Sequence, residues 1–202
     1  GIQASNAKTY LYGDLSVGAG DSKGIFSGND GDVETTGDIT VGSNSLGIYK
    51  NGNAEVKTTV GKTITVADNG YGIFAKGGAK VTNNANVTVG DNSIGLYGYA
   101  ITSIGNISVG KKGSAIYSLG GNVNINSGTI TVGDDDAVGV YTAGNNQTIT
   151  ATNATTMNIG EGSFGFANVG KDNKINSFND VCQKIIEKKC IVTLKLKNDD
   201  IE

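Results

Sequence analysis

The sequence predicts an all-β fold, a right-handed parallel β-helix of about seven coils of 20–27 residues. The main observation is one recurring phrase, apolar–Thr–Val–Gly followed by Gly–Ile–Tyr, spaced at 24, 25, 23, 20, 23 and 27 residues. The other two observations are the alternation of apolar and polar residues within each copy and the turn-forming residues between its strands. A repeat of this length corresponds to one coil of a solenoid. The copies begin at Leu15, Ile39, Ile64, Val87, Ile107, Ile130 and Met157.

The first strand of each coil is defined by alternation. In the copy over residues 39–62, Ile39 and Val41 flank a threonine, which is the pattern of a half-buried strand with two inward residues. The turn that follows consists of residues that tolerate positive φ, and Asn69 and Asn92 occupy its matching position in the next two coils.

The second and third strands of the same copy are shorter. The sequence predicts a second strand over 46–48 with Leu46 and Ile48 inward, and a third over 54–56 with Val56 inward. Three strands and three turns make a triangular coil. The inward residue of the third strand is predicted to recur at Val33, Val56, Val81, Ile104, Ile125, Ile149 and Ile175.

Stacking of these coils predicts the overall organisation. Parallel crossovers are overwhelmingly right-handed, and stacked strands lie ~4.8 Å apart, so seven coils give a rod of roughly 34 Å. The β-helix spans residues 9–176, after an N-terminal edge or cloning remnant over 1–8. One inward column is predicted to consist of Ile39, Ile64, Val87, Ile107 and Ile130.

Residues 177–202 are predicted to form a C-terminal cap of a short helix and a strand. Apolar residues at helical spacing are followed by alternation over 190–196. A solenoid end exposes apolar core and strand edges, which a cap covers. A separate interaction segment and a non-native tail are the alternatives. The helical positions are Phe178, Val181, Cys182, Ile185 and Ile186.

Composition limits the function classes. The chain carries a net charge of −3, which disfavours nucleic-acid binding, and no stretch approaches the ~18 apolar residues of a membrane-spanning helix. Its two cysteines, Cys182 and Cys190, both lie near the C-terminal end, and spacing alone does not decide whether they form a disulfide. The cysteine-free remainder fits an oxidising exterior.

Candidates for catalysis or metal binding are weak. The Gly–Asp–Ser–Lys–Gly segment over 20–24 has the form of a serine nucleophile motif, but the chain has no histidine to act as its base. Asp134, Asp135 and Asp136 are candidates for Ca²⁺ binding, although they align with ordinary turns of other coils. We therefore expect no catalytic residue, metal site or cofactor.

Two outward rows are expected on the coils. A hydroxyl row of Ser and Thr follows the first strands, which we interpret as ordinary strand decoration. The aromatic row is the better candidate for binding, since exposed aromatic surface suits contact with protein or sugar. The competing hypothesis is that the rings only stack and stiffen the coil. The aromatic row consists of Phe26, Tyr49, Phe74, Tyr97, Tyr117 and Tyr141.

Insertions beside the third strand give a second candidate. Length variation concentrates around Asn145, Asn146, Gln147 and Asn153. Insertions in solenoids map to loops on one face, which is often the binding face. These four residues are therefore predicted to form a binding loop.

The phrase I-T-V-G-x-N-S-x-G-I-Y, clearest over 39–49 and 87–97, resembles the repeats of autotransporter passenger domains over about residues 9–176. These are long surface β-helices of Gram-negative bacteria, mostly adhesins with some proteases and cytotoxins. The resemblance implies a secreted or cell-surface location, with membrane contact only through a C-terminal β-barrel of the full-length protein.

These observations together predict a non-catalytic adhesin. Its expected partner is a protein or glycan on a host or bacterial surface, with no nucleic acid and no cofactor. A structural spacer that displays another domain and a polysaccharide-active enzyme are the alternatives. The adhesin and the spacer differ in whether the isolated domain binds surfaces, and the enzyme would need carboxylates that converge in a cleft.

Overall fold

Short alternating segments fold into three parallel sheets that wrap around one narrow core. The computed structural model describes residues 1–152, 154–176 and 193–194. Sheet A contains β1 (Ile2–Ser5), β4 (Lys23–Gly28), β7 (Leu46–Asn51), β10 (Tyr71–Lys76), β13 (Ile94–Gly98), β16 (Ser114–Ser118), β19 (Val138–Thr142), β22 (Phe164–Asn168) and β24 (Thr193–Leu194).

Sheets B and C complete the triangle. Sheet B contains β2 (Thr9–Leu11), β5 (Val33–Thr35), β8 (Val56–Thr58), β11 (Lys80–Asn83), β14 (Ala100–Ser103), β17 (Val123–Ile125), β20 (Thr148–Ala151) and β23 (Lys174–Asn176). Sheet C contains β3 (Leu15–Val17), β6 (Ile39–Val41), β9 (Thr63–Val66), β12 (Asn86–Val89), β15 (Ile107–Val109), β18 (Gly128–Val132) and β21 (Thr155–Ile159).

The parallel solenoid predicted from the sequence is confirmed. Each coil contributes one strand to each sheet, so β1 to β21 form seven coils, and β22 and β23 begin an eighth. The predicted inward column is also confirmed, because its five members are register partners in sheet C and are almost completely buried.

The predicted third strand was misplaced in three coils. Strand β8 begins at Val56 instead of ending there, because Thr58 also turns inward and donates to Asn83 Oδ1 at 2.9 Å. The register partners of Val81 and Ile149 are Ile101 and Val123. Ile104 follows the end of β14 and is only half-buried, and Ile125 pairs with Ser103 instead.

The inward assignment of Leu46 was wrong. Gly47 and Ile48 are both buried, whereas Leu46 is half-buried and lies outside the core cluster. A Cβ atom on Gly47 would lie 2.8 Å from the Cγ2 methyl of Ile64 and 2.5 Å from the carbonyl oxygen of Gly72. The Ile64 side chain therefore fills the space in the core beside this glycine, and Leu46 is left on the outer face.

The turns between sheets C and A adopt the backbone expected from their sequence. Asn44, Asn69 and Asn92 have φ values of 54°, 58° and 52°. The Asn44 N–H donates to the Asp68 carbonyl at 2.9 Å, and the Asn69 N–H donates to the Asp91 carbonyl at 2.8 Å. Main-chain hydrogen bonding between coils therefore continues around this corner.

Side-chain oxygens of Asp and Asn add a second set of links between coils. Asp14 Oδ1 accepts from the Asp38 N–H at 2.9 Å, and Asp38 Oδ1 accepts from the Thr63 N–H at 2.7 Å. Asn86 and Asn106 continue the same column, the latter accepting from the Thr129 N–H at 2.8 Å. The oxygen in each case belongs to one coil and the N–H to the next.

One lysine lies inside the solenoid at the corner between sheets A and B. Lys50 has 0% of its surface exposed, and its amine donates to the main-chain carbonyls of Asn29 and Asn51, the latter at 2.7 Å. Its register partners Ser27 and Ala75 are small. The ammonium is therefore satisfied by neutral carbonyl oxygens.

The predicted cap falls largely outside the described residues. The helical positions and both cysteines lie there, so neither the helix nor a disulfide is tested. From the predicted strand over 190–196, Thr193 and Leu194 form β24, which pairs in parallel with Ala167 and Asn168 of β22. Within the described ranges, no helix long and apolar enough to cross a membrane is present.

Replacement of Ile107 by Asp should abolish cooperative unfolding. Ile107 is 1% exposed, and a buried, unpaired carboxylate costs several kcal/mol beyond the lost apolar burial of about 1.5–3 kcal/mol. This is comparable with a total domain stability of about 5–15 kcal/mol. Thermal melting followed by circular dichroism tests this. Ser108→Asp, on the outer side of the same strand, is the control and should melt close to the parent.

Lys50 should make stability depend on pH. Burial lowers its pKa below the ordinary 10.5, although Asp30 and Asp32 oppose the shift. Between the folded pKa and 10.5 this lysine binds more protons in the unfolded chain than in the folded one, so Lys50 should contribute a rise in the free energy of unfolding with pH in that window.

Lys50→Met should lack this rise, while Lys57→Met, at an exposed position of β8, should retain it. Urea denaturation at several pH values measures the difference between each variant and the parent. Identical pH profiles for the parent and Lys50→Met would show that Lys50 has the same proton affinity in both states.

Candidate functional site

The outer face of sheet A brings all six residues of the aromatic row into register. Each ring stacks on the next, with centroids 5.0, 5.6, 4.5, 5.2 and 4.6 Å apart and interplanar angles of 2° to 30°. The six members are register partners in successive strands β4 to β19. All six are half-buried. The row is therefore one continuous column of rings along the solenoid.

The stacking decides which part of each ring a partner can contact. Tyr49, Phe74, Tyr97 and Tyr117 each have a ring on both sides, so their faces are covered. What these four rings present to solvent is an edge, with a hydroxyl group in three of them. Only the two ends of the column, Phe26 and Tyr141, have a face that is not stacked within the row.

A second apolar row, which the sequence analysis missed, runs beside the first. The strand positions three residues before the aromatic row are register partners of one another and lie outside the core cluster. We call this set the outer apolar row, and with the aromatic row it forms the apolar face of sheet A. Its half-buried apolar members are Leu46, Tyr71, Ile94, Val138 and Phe164, and Ser114 interrupts them between Ile94 and Val138.

Contacts between the two rows tie them into one surface. The ring of Tyr71 packs edge-on against Phe74 at 4.8 Å and against Tyr97 at 6.1 Å, with interplanar angles of 80° and 90°. Lys76 Nζ lies 5.4 Å from the centroid of the Tyr49 ring. The outer apolar row was missed because strict alternation assigns Leu46 to the core, while the buried Gly47–Ile48 pair shifts it outward.

Phe26, at one end of the column, is one of the residues that line a cavity of about 400 Å³. Gln3 of β1 is the register partner of Phe26 and is exposed, so no ring covers this side of Phe26. The ammonium of Lys23 donates to the main-chain carbonyl of Asp21 at 3.4 Å. The residues that line the cavity are Gly1, Ile2, Gln3, Asp21, Lys23 and Phe26.

The described residues of the predicted binding loop lie at the corner between sheets A and B. Asn145 and Asn146 are exposed between β19 and β20, and Asn145 Oδ1 accepts from the Lys171 N–H at 2.8 Å. Gln147 is buried, and its amide donates to Ser118 Oγ at 2.7 Å. Gln147 is therefore a packing residue, whereas Asn145 and Asn146 face solvent. Asn153 lies outside the described residues.

The aspartates considered for Ca²⁺ binding lie in a turn between β18 and β19. Asp134 Oδ1 accepts from the Glu161 N–H at 2.8 Å, and Asp135 pairs with Lys111 at 3.5 Å on the surface. Among the described residues, no group of three or more His, Cys, Asp or Glu side chains is placed to hold a metal ion. The hydroxyl row lies on the outer side of sheet C, as expected.

An exposed tyrosine pair on sheet B was also missed by the sequence analysis. Tyr10 and Tyr12 stack at 5.8 Å, and Tyr12 is 77% exposed. Lys8 lies over the Tyr10 ring at 4.8 Å and 3.7 Å from Glu34. The alternation of Thr–Tyr–Leu over β2 indicates that Tyr10 faces outward. The tyrosine pair occurs in a single coil, however, and is not repeated along the chain.

Comparisons of the chain with protein-family models, with curated proteins and with solved structures found no match. The parallel solenoid is compatible with a β-helical passenger domain.

The phenols of the aromatic row should report on its packing. Burial raises the pKa of Tyr97 and Tyr117 above 10.0, and neighbouring tyrosines add to both shifts. The unfolded chain therefore loses these protons first, and the contribution of these two phenols to stability should fall as the pH rises above 10.0. Replacing both residues by Phe should make this fall shallower in denaturant titrations. An equally steep fall in the double variant would contradict the assigned burial.

Proposed function

We propose that this chain is a non-catalytic fragment of the autotransporter passenger type, secreted or displayed at the cell surface, that acts as an adhesin. Its proposed partner is a protein or glycan on a host or bacterial surface. We expect this solenoid to be right-handed, as parallel crossovers overwhelmingly are. The observation that carries the proposal is the apolar face of sheet A, which has eleven half-buried apolar side chains in two adjacent rows.

The size of this face supports a particular mode of contact. Coils 2 to 8 span about 34 Å at ~4.8 Å per coil, and two rows three residues apart span about 10 Å, which gives roughly 340 Å². This matches the apolar patches of 300–600 Å² that are often functional on monomers. It is well below the ~800 Å² per partner of a standard protein interface. A narrow, extended ligand or a weak contact repeated over many copies therefore fits best.

The stacked rings also favour one alternative, the structural spacer. Ring faces that are covered by neighbouring rings stabilise the contacts between coils, and aromatic pairs add about 0.5–1.5 kcal/mol each beyond their buried area. A row used only in this way would stiffen the rod and need no partner. The two functions differ in whether the loss of the rings removes binding or only stability.

Replacement of Tyr49, Tyr97 and Tyr117 together by Ser should separate these functions. The buried Ile48, Leu96 and Ile116 beneath the row remain in place. If the face is adhesive, binding of the purified domain to epithelial and bacterial cells should fall at least tenfold while the folded fraction at the assay temperature is unchanged. Flow cytometry with labelled protein and thermal melting measure the two effects.

A matched triple variant on another face provides the control. Thr40, Thr65 and Thr88 lie on the outer side of sheet C in successive coils, and their replacement by Ala leaves the apolar face of sheet A intact. This variant should bind like the parent. The adhesin proposal is wrong if the parent domain binds no surface, or if the tyrosine variant binds as well as the parent.

A further inference from the structure

The aromatic row contains one run of three consecutive tyrosines. Tyr97, Tyr117 and Tyr141 are register partners in β13, β16 and β19. The ring centroids of Tyr117 and Tyr141 lie 4.6 Å apart with an interplanar angle of 30°, and Tyr97 lies 5.2 Å from Tyr117 on its other side. Among the described residues, Tyr117 and Tyr141 are therefore the closest pair of tyrosine rings.

The hydroxyl groups of this pair also lie beside each other. Burial is the main cause that raises the pKa of the Tyr117 phenol, and a hydrogen bond to Tyr141 adds to the shift. Tyrosyl radicals couple through the ring carbons next to the phenol oxygen. Because these two rings stack with their hydroxyl groups in contact, the carbons that would couple are held side by side. Both side chains are half-buried, so the ring edges that carry these carbons remain open to a small oxidant.

We propose that Tyr117 and Tyr141 are a site of oxidative cross-linking, where hydrogen peroxide activated by a haem peroxidase joins the two phenols as dityrosine. The fold holds the two rings in contact, so coupling within one chain is favoured over coupling between chains. This inference concerns covalent modification and does not rest on the proposed adhesive function.

The reaction needs no group of the protein other than the two phenols. The activated peroxide removes one hydrogen atom from each hydroxyl group and is reduced to two molecules of water. The two phenoxyl radicals then form one C–C bond between ring carbons next to the oxygens. Each of these carbons passes its hydrogen to its own oxygen as the ring becomes aromatic again. The pair has therefore lost two hydrogen atoms in total and keeps both hydroxyl groups.

The new bond would join two coils that otherwise meet only through non-covalent contacts. Tyr117 belongs to coil 6 (β16 to β18) and Tyr141 to coil 7 (β19 to β21). A covalent link one coil long restricts the unfolded chain in the way that a disulfide does. The cross-linked monomer should therefore melt about 5–10 °C above the untreated chain.

Digestion at lysine makes the test of this site direct. The peptide over 113–171 contains no internal lysine, and Tyr117 and Tyr141 are its only tyrosines. The full chain is treated at low concentration with a haem peroxidase and hydrogen peroxide, and its monomeric fraction is isolated, digested and weighed by mass spectrometry. We expect this peptide to lose the mass of two hydrogen atoms and to gain dityrosine fluorescence.

Two conservative variants provide the comparison, since Phe keeps a stacked ring and removes only the hydroxyl group. Tyr141→Phe should leave the mass of the 113–171 peptide unchanged by the treatment. Tyr49→Phe is the matched control, because Tyr49 stacks between Phe26 and Phe74 at 5.0 and 5.6 Å and has no tyrosine neighbour within the row. This variant should cross-link as fully as the parent.

Three results would overturn the inference. The site is wrong if the 113–171 peptide of the parent keeps its mass, or if dityrosine forms only between molecules, for which Tyr12 is available at 77% exposure. It is also wrong if Tyr141→Phe loses two hydrogen atoms from this peptide as readily as the parent does. A cross-linked monomer that melts no higher than the untreated chain would refute the stabilising effect of the bond.

Discussion

The structure depends on parallel strands that keep one register from coil to coil. Because each strand lies ~4.8 Å from its equivalent, every side chain stacks on the residue at the same position of the next coil. Ile39, Ile64 and Val87 stack in the core for this reason, and Tyr49 and Phe74 stack on the outer face. One geometric repeat therefore produces the apolar core, the ladders of polar side chains and the aromatic row.

This register places different demands on the three corners. Corners must turn the chain sharply, so main-chain groups that would pair in a straight strand need other partners. Asp and Asn side chains supply them at one corner, where Asp38 Oδ1 accepts from the Thr63 N–H. Buried polar groups such as Lys50 and Gln147 supply them at another corner. The apolar core is therefore bounded by hydrogen-bonded edges, and its width is set by three short strands.

The repeat made most of the fold predictable, and the departures have local causes. The column through Ile107 and the register of the aromatic row follow from spacing alone. Leu46 was misassigned because alternation fails where Gly47 and Ile48 both face inward. This is a packing effect with Ile64, which lies on another sheet of the same coil. The cavity beside Phe26 also depends on tertiary contacts, since its walls come from coils 1 and 2. No pattern in the sequence records which residues of the two coils meet there.

The ladder of Asp and Asn oxygens has a direction along the rod. Asp14, Asp38 and Asn106 each accept from a main-chain N–H of the coil that follows. A completed coil therefore presents acceptors, already fixed in place, to the segment that comes next in the chain. Loop-closure entropy makes long-range parallel pairing slow, and a prepared row of acceptors reduces the number of arrangements that the next coil must search. Each folded coil therefore acts as a template for the coil that follows it in the chain.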